Sequence, residues 1–250
     1  MHEKATVGHM CGRYRIKDPA LIREAIRRLA EGEIALVEFA ARYNVPPQTD
    51  LPVVLKKDGS AKMQLMRWGL VPYWETSSKP RLAPINARSG EAFAKPIFRQ
   101  AIQKRRCLIP ADGFYEWPKI EADFKQPAFF SLAGERPFFF AGIYENAVEG
   151  LRPATFTLFT TEPNALLLRL PHERMPVILE EDRANEWMCE APIAESAFKE
   201  LCRTYPAEKM QSWPVSSLIN KPANDGPQCC APVSAEPPLP PRPTQRSFEF

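Results

Sequence analysis

Residues 10–14 read Met-Cys-Gly-Arg-Tyr, and a cysteine directly after a methionine is a chemical opportunity. Where such a methionine begins a translated chain, its removal leaves Cys11 with a free α-amine two carbons from its thiol. An aldehyde can condense with that amine as an imine and then be trapped by the thiol as a five-membered thiazolidine. At pH 7.5 an α-amine of pKa ~7.8 is roughly one-third neutral, against roughly 0.1% for a lysine of pKa ~10.4, and lysine cannot close the ring. Cys11 also reads as a small buried hydrophobe.

Three further segments carry groups suited to chemistry. In RRCLIPADGFYEW (105–117), Glu116 lies between Tyr115 and Trp117 at the end of an apolar run. It is either an edge charge or a partly desolvated carboxyl with a raised pKa, fit for proton transfer. In LAPINAR (82–88), Asn86 could donate to a developing oxyanion and Arg88 could fork onto a phosphate. A turn-stabilising Asn beside a solvated Arg explains the same residues. In LPHERMP (170–176), His172 is held between two prolines and reads as a catalyst or as a satisfied structural histidine. Cys107, Cys189 and Cys202 read as core residues, and Cys229 and Cys230 as exposed thiols in a proline-rich stretch.

The elements that must position these groups follow from periodicity and turn signals. Asp18-Pro19 is an N-cap with proline at the first helical position, and Leu21, Ile22, Ala25, Ile26 and Leu29 give a helical stripe reaching about Gly32. Runs 53–55 and 63–68 flank Asp58-Gly59 and read as a hairpin. A short basic helix is expected over 96–106. Strands are expected over 107–110, 114–117, 128–132, 138–144 and 155–161. Glu162-Pro163 opens a helical turn with Leu166, Leu167 and Leu170, and amphipathic helices are expected over 181–189 and 195–205. Strands dominate the middle without a βαβ rhythm. The fold class is therefore α+β, a single domain with a mostly antiparallel, barrel-like sheet core flanked by helices.

Composition narrows the function classes. The chain has 250 residues with 33 basic against 30 acidic, a net +3 that excludes a histone-like polybasic protein. No apolar run reaches the ~18 residues of a membrane span, and 1–10 lacks a signal-peptide core. Only three histidines are present, His2, His9 and His172, which argues against a histidine-rich metal site; no metal and no cofactor is expected. Six cysteines without a CxxC pair fit a reducing compartment and a cytoplasmic location. The proline-dense stretch 222–243 cannot sustain a helix or central strand, so the chain is divided into an extension 1–10, a body 11–232 and a proline-rich tail 233–250.

Taken in order, MCGRY, RYNVPPQ (42–48), RWGLVPYW (67–74), INAR, CLIPADGFYEW, PHERMPVIL and WPVSSLIN (213–220) resemble the SRAP family, the SOS-response-associated peptidase-like proteins, over about 11–228. The resemblance implies a sensor and shield of abasic sites in single-stranded DNA that forms a thiazolidine crosslink with the ring-opened sugar. Cys11 would then be the crosslinking residue, Asn86 would polarise the sugar end, Glu116 would shuttle protons and His172 would assist at the sugar hydroxyl or a phosphate. Arg13, Arg88 and Thr161 match positions near the DNA backbone or active site. Trp68, Pro72 and Trp117 are candidates to stack on or wedge apart bases. The implied partner is abasic single-stranded DNA, with the replication machinery as a further one, and the implied state is a nucleoid-associated monomer. Two departures stand out. Nine residues precede Met10, so the crosslink needs a start at Met10 or cleavage before Cys11, which a thiol activated by Glu116 or His172 could itself perform. Gly90 stands where the family often has an acidic residue, with Glu91 one place later. The competing readings are an N-terminal-nucleophile amidotransferase, a thiol peptidase and a non-covalent single-strand-binding module.

Overall fold

The structure is a computed structural model that describes residues 11–29, 34–77, 79–118, 125–169 and 173–234. Its longest hairpin joins β3 (Asp50–Lys57) to β4 (Ser60–Trp68) in unbroken register from Lys57↔Ser60 to Asp50↔Arg67. Asp58 and Gly59 form the two-residue turn with φ of 54° and 78°; two successive left-handed residues are what the twist of a tight hairpin needs.

That hairpin belongs to a closed ring of five strands: β10 (Thr155–Thr161), β4, β3, β6 (Arg106–Ala111) and β9 (Phe138–Glu145), with β9 pairing back onto β10. Short strands extend the sheet: β11 (Met175–Pro176) and β5 (Asn86–Arg88) on β10, and β12 (Ile178–Leu179) on β9. The pairings β10–β4 and β10–β5 are parallel and the others antiparallel. A second, antiparallel sheet runs β13 (Met210–Pro214), β8 (Ala128–Leu132), β7 (Gly113–Glu116), β1 (Tyr14–Ile16) and β2 (Arg42–Val45). Around these lie α1 (Pro19–Leu29), α2 (Ser89–Ala92), α3 (Pro96–Lys104), α4 (Ala165–Leu168), α5 (Glu181–Trp187) and α6 (Glu195–Leu201). This is the expected α+β domain. Asp18 caps α1 by accepting from Ala20 and Leu21 N–H at 3.0 Å each, as its sequence signal requires. The strands β1, β2, β5, β11, β12 and β13 and the short helix α2 were not anticipated.

The two sheets meet through aromatic side chains. The Tyr14 ring stands 5.4 Å from Trp68 and 5.7 Å from Phe140, both edge-on, and Phe114 lies 6.2 Å from Phe140. The chain crosses from ring to second sheet at Asp112-Gly113. There the buried Asp112 carboxylate accepts from Arg15 Nε at 2.5 Å and from Lys17 N–H at 2.7 Å. Arg15, 1% exposed, also reaches Glu135 at 2.5 Å and lies 4.3 Å from the Phe129 ring centre. A Cβ on Gly113 would stand 2.0 Å from Phe129 Cζ and 2.9 Å from the Phe130 carbonyl, so only glycine lets β7 approach β8 here. This crossing fixes the start of β7, and Glu116 is its last residue.

Candidate functional site

Three of the expected residues converge from three elements. Cys11, 1% exposed, lies just before β1; Glu116, also 1% exposed, closes β7; Asn86 opens β5. Pairing of β1 with β7 (Tyr14↔Phe114, with Tyr115 N–H to the Arg13 carbonyl at 3.1 Å) carries the chain leading into β1 alongside Glu116. Parallel pairing of β5 on β10 (Leu158↔Asn86) carries Asn86 to the same place, where its Nδ2 donates to the Cys11 carbonyl at 2.9 Å. The Asn86 Oδ1 is buried and has no protein partner among the described residues, so it can accept from a bound hydroxyl.

The thiol's setting is distinctive. Burial pushes the Cys11 thiol well above its ordinary range, and the charge of Glu116 and its hydrogen bond to the thiol act in the same direction; the Arg13 backbone N–H opposes them weakly. The surroundings favour the neutral thiol over a stabilised thiolate and set the Glu116 carboxyl beside it as a group able to exchange its proton.

Arg13 is half-buried. Its Nη1 donates to Asn44 Oδ1 at 2.7 Å and to the Ile219 carbonyl at 2.9 Å, which leaves the Nε–Nη2 edge as a two-toothed donor fork. Trp117, partly buried, lies 5.9 Å from the Arg13 guanidinium and donates its indole N–H to Asn220 Oδ1 at 2.6 Å. Arg88 is exposed, 3.8 Å from Glu91, and pairs in register with Thr160; Thr161 is buried at the end of β10. Arg174, which sequence reasoning passed over, donates to the Thr160 carbonyl at 2.5 Å and to Glu162 at 2.7 Å. Desolvation lowers its pKa, and the charge of Arg88 adds to that, so the two form a basic pair beside β10. Its signal was its place in PHERMP, two residues after His172. His172 itself lies outside the described residues, as do the whole of the extension 1–10 and the tail from 235 onward.

Four expectations need correction. Trp68 is fully buried, donates its N–H to the Ile85 carbonyl at 2.8 Å and stacks 6.4 Å from Phe156, so it is core and has no face for a base. Pro72 is buried as well. The exposed aromatics are the next two residues, Tyr73 (54%) and Trp74 (48%), edge-on at 4.9 Å, on a turn held by Arg152 donating to the Glu75 carbonyl at 2.6 Å. Cys189 is exposed rather than core, because it follows α5, where its carbonyl accepts from Arg106. Cys229 is fully buried rather than exposed: a 3-10 turn at Pro227–Cys229 packs it under Tyr115, Val215 and Ile219. Among the described residues no group of three His, Cys, Asp or Glu is placed to hold a metal ion, and no helix is long and apolar enough to cross a membrane.

Comparison with known proteins places the chain in a family. The family described as SOS response associated peptidase (SRAP) matches residues 10–222, from the residue before Cys11 through the segment that contacts Arg13 and Trp117. The chain belongs to the SRAP family. The SRAP relatives include the abasic site processing protein YoqW of Bacillus subtilis, 36% identical over 193 residues, 76% of this chain and 86% of that one. YedK of Escherichia coli, also called an abasic site processing protein, is 32% identical over 232 residues, covering 90% of this chain and all of that one. Among solved structures, a Bacteroides thetaiotaomicron protein has a TM-score of 0.75 at 26% identity, with 90% of this chain and all of that chain covered.

Proposed function

We propose that this SRAP protein recognises abasic sites in single-stranded DNA and captures them covalently through Cys11. The relatives' names support abasic-site processing, and the observation that carries the covalent reading is the buried Cys11 thiol against the Glu116 carboxylate, with Asn86 on the Cys11 carbonyl. The Cys11 amine attacks the C1′ aldehyde of the ring-opened sugar, and loss of water gives an imine. The thiol then adds to the imine carbon while its proton passes through Glu116 to the nitrogen. The product is a thiazolidine, and the sum of protein and DNA is reduced by one water. Asn86 Oδ1 accepts from a sugar hydroxyl, and His172 assists there or at a neighbouring phosphate. The chemistry requires that the Met10–Cys11 peptide bond be absent, so the working form begins at Cys11.

DNA contacts divide by chemistry. The Arg13 fork, Arg88 and Arg174 face phosphates, with Thr161 nearby, and Tyr73, Trp74 and Trp117 offer rings to unstacked bases. A Cys11 thiol with Glu116 as its base could also serve a peptidase or amidotransferase, and what favours the DNA reading over these is the relatives' abasic-site processing names. The test is incubation of chain beginning at Cys11 with an abasic single-stranded oligonucleotide, followed by denaturing electrophoresis. A band of protein plus DNA is expected from the unaltered chain and none from Cys11→Ser; equal yields from both overturn the assignment.

A further inference from the structure

The segment after β13 does more than close the fold. Asn44, fully buried in β2, uses its whole amide: Oδ1 accepts from Arg13, and Nδ2 donates to the carbonyls of Ile219 (3.1 Å), Lys221 (3.0 Å) and Asn224 (2.8 Å). Arg13 Nη1 reaches the same Ile219 carbonyl. Asn220, on this loop, accepts the Trp117 indole N–H, and Arg13 and Trp117 face each other. Arg13 is two residues from Cys11, and Trp117 directly follows Glu116. One loop therefore grips the side chains that flank both ends of the reacting pair.

The buried Asn44 amide needs partners, but Trp117 and Arg13 do not need these particular ones. Asn220 is exposed, so water could accept the Trp117 N–H, and half-exposed Arg13 could be solvated. What the bonds add is orientation: they fix which edge of the guanidinium and which face of the indole remain available. We propose that Asn44 and Asn220 are positioning residues of the DNA-binding surface, Asn44 setting the Arg13 fork for a phosphate and Asn220 setting the Trp117 ring for a base. The proposal rests on the abasic-site DNA reading above. It assigns to the 219–225 loop, more than two hundred residues from Cys11 in sequence, control over the cation and ring beside the thiol.

A double-mutant cycle tests it on an oligonucleotide carrying a tetrahydrofuran abasic analogue, which has no aldehyde and reports binding alone. Asn220→Ala is expected to weaken binding about three- to tenfold in the natural background and less than about twofold in Trp117→Ala. Asn220→Asp, which keeps the acceptor, should retain at least half the affinity in high salt. Asn44→Ser should lower the salt slope by about one ion, as Arg13→Ala does, with no further fall in the combined variant. The Trp117 indole N–H resonance of the DNA-free protein should move in Asn220→Ala; this arm does not depend on DNA. Equal losses from Asn220→Ala with and without Trp117, or no loss, overturn the proposal while leaving the DNA reading standing. No binding by the unaltered chain overturns both.

Discussion

Replacing Glu116 with Gln keeps the shape of a side chain that is 1% exposed and removes its capacity to accept a proton. An ordinary thiol of pKa ~8.5 is under about 10% ionised at pH 7.5, and each further unit of upward shift divides that fraction by roughly ten. Cys11 is held well above its ordinary range, by burial first and by Glu116 second, so ring closure has almost no thiolate to draw on and must remove the proton as sulfur attacks. Without the carboxylate, proton removal falls to weaker or more distant bases and to solvent, which has poor access to a buried thiol. Loss of such a general base is worth ~10²–10⁴ in rate, or about 2.7–5.5 kcal/mol of barrier. The assay is single-turnover crosslinking to an abasic oligonucleotide from pH 5.5 to 9, quenched and resolved on denaturing gels. A parallel alkylation of Cys11 separates base catalysis from electrostatics. Removing the neighbouring negative charge should lower the alkylation midpoint while crosslinking slows, so the two readouts move in opposite senses. A Glu116→Gln crosslinking rate within about threefold of the unaltered protein, or an alkylation midpoint that rises, would refute the reasoning.

The other predictions concern surface, fold and pH. Trp74→Ala should weaken single-stranded DNA binding by about 1–3 kcal/mol with unfolding unchanged, whereas Trp68→Ala should cost about 3–5 kcal/mol of stability in denaturant titrations, because it empties the layer between Tyr14 and Phe156. Gly113→Ala should destabilise by a few kcal/mol by forcing Phe129 and the Phe130 carbonyl aside, while Gly90→Ala, with nothing within 4 Å and a place in α2, should stabilise by about 0.5–1 kcal/mol. For Glu135, desolvation acts upward but the hydrogen bonds from Lys17 and Arg15 outweigh it and hold the carboxyl below its ordinary range. A depressed carboxyl contributes stability that is present above the unfolded pKa of ~4.3 and is lost as pH falls through the lower folded value. Glu135→Gln should therefore flatten the fall of Tm below about pH 4.3, and an unchanged acid limb would remove this network from the account.

Elements with strong local chemistry were legible in the chain. The Asp18-Pro19 start of α1 and the Asp58-Gly59 turn are written in two residues each, and the apolar runs of β6 to β10 announce buried strands. Of the missed strands, β11 and β12 span two residues each, and β1, β2, β5 and β13 are short and rich in Arg, Asn, Gln or Ser; the pairing of these four comes from partners distant in sequence, and three of them carry or adjoin polar groups of the site. Trp68 shows a signal that was available and not used. It shares a face with buried Met66 at period two, while Arg67 points outward to Asp50, so alternation alone places it inside. Cys229 failed for the opposite reason: its proline-rich context reads as solvated, and only the packing of Tyr115 and Val215 against it reveals a second small core. The convergence of Cys11, Asn86 and Glu116 could not be read from periodicity, since two sheets and a parallel pairing create it.

The central claim is that a terminal aminothiol at Cys11 condenses with a sugar aldehyde. Intact mass of the adduct formed with an abasic single-stranded oligonucleotide, followed by peptide mapping, tests it most directly. The account predicts a protein that begins at Cys11, joined to the oligonucleotide with loss of one water and with the DNA remnant on the first residue. An adduct carried on a lysine, or formed equally well by chain that still retains Met1–Met10, would contradict it.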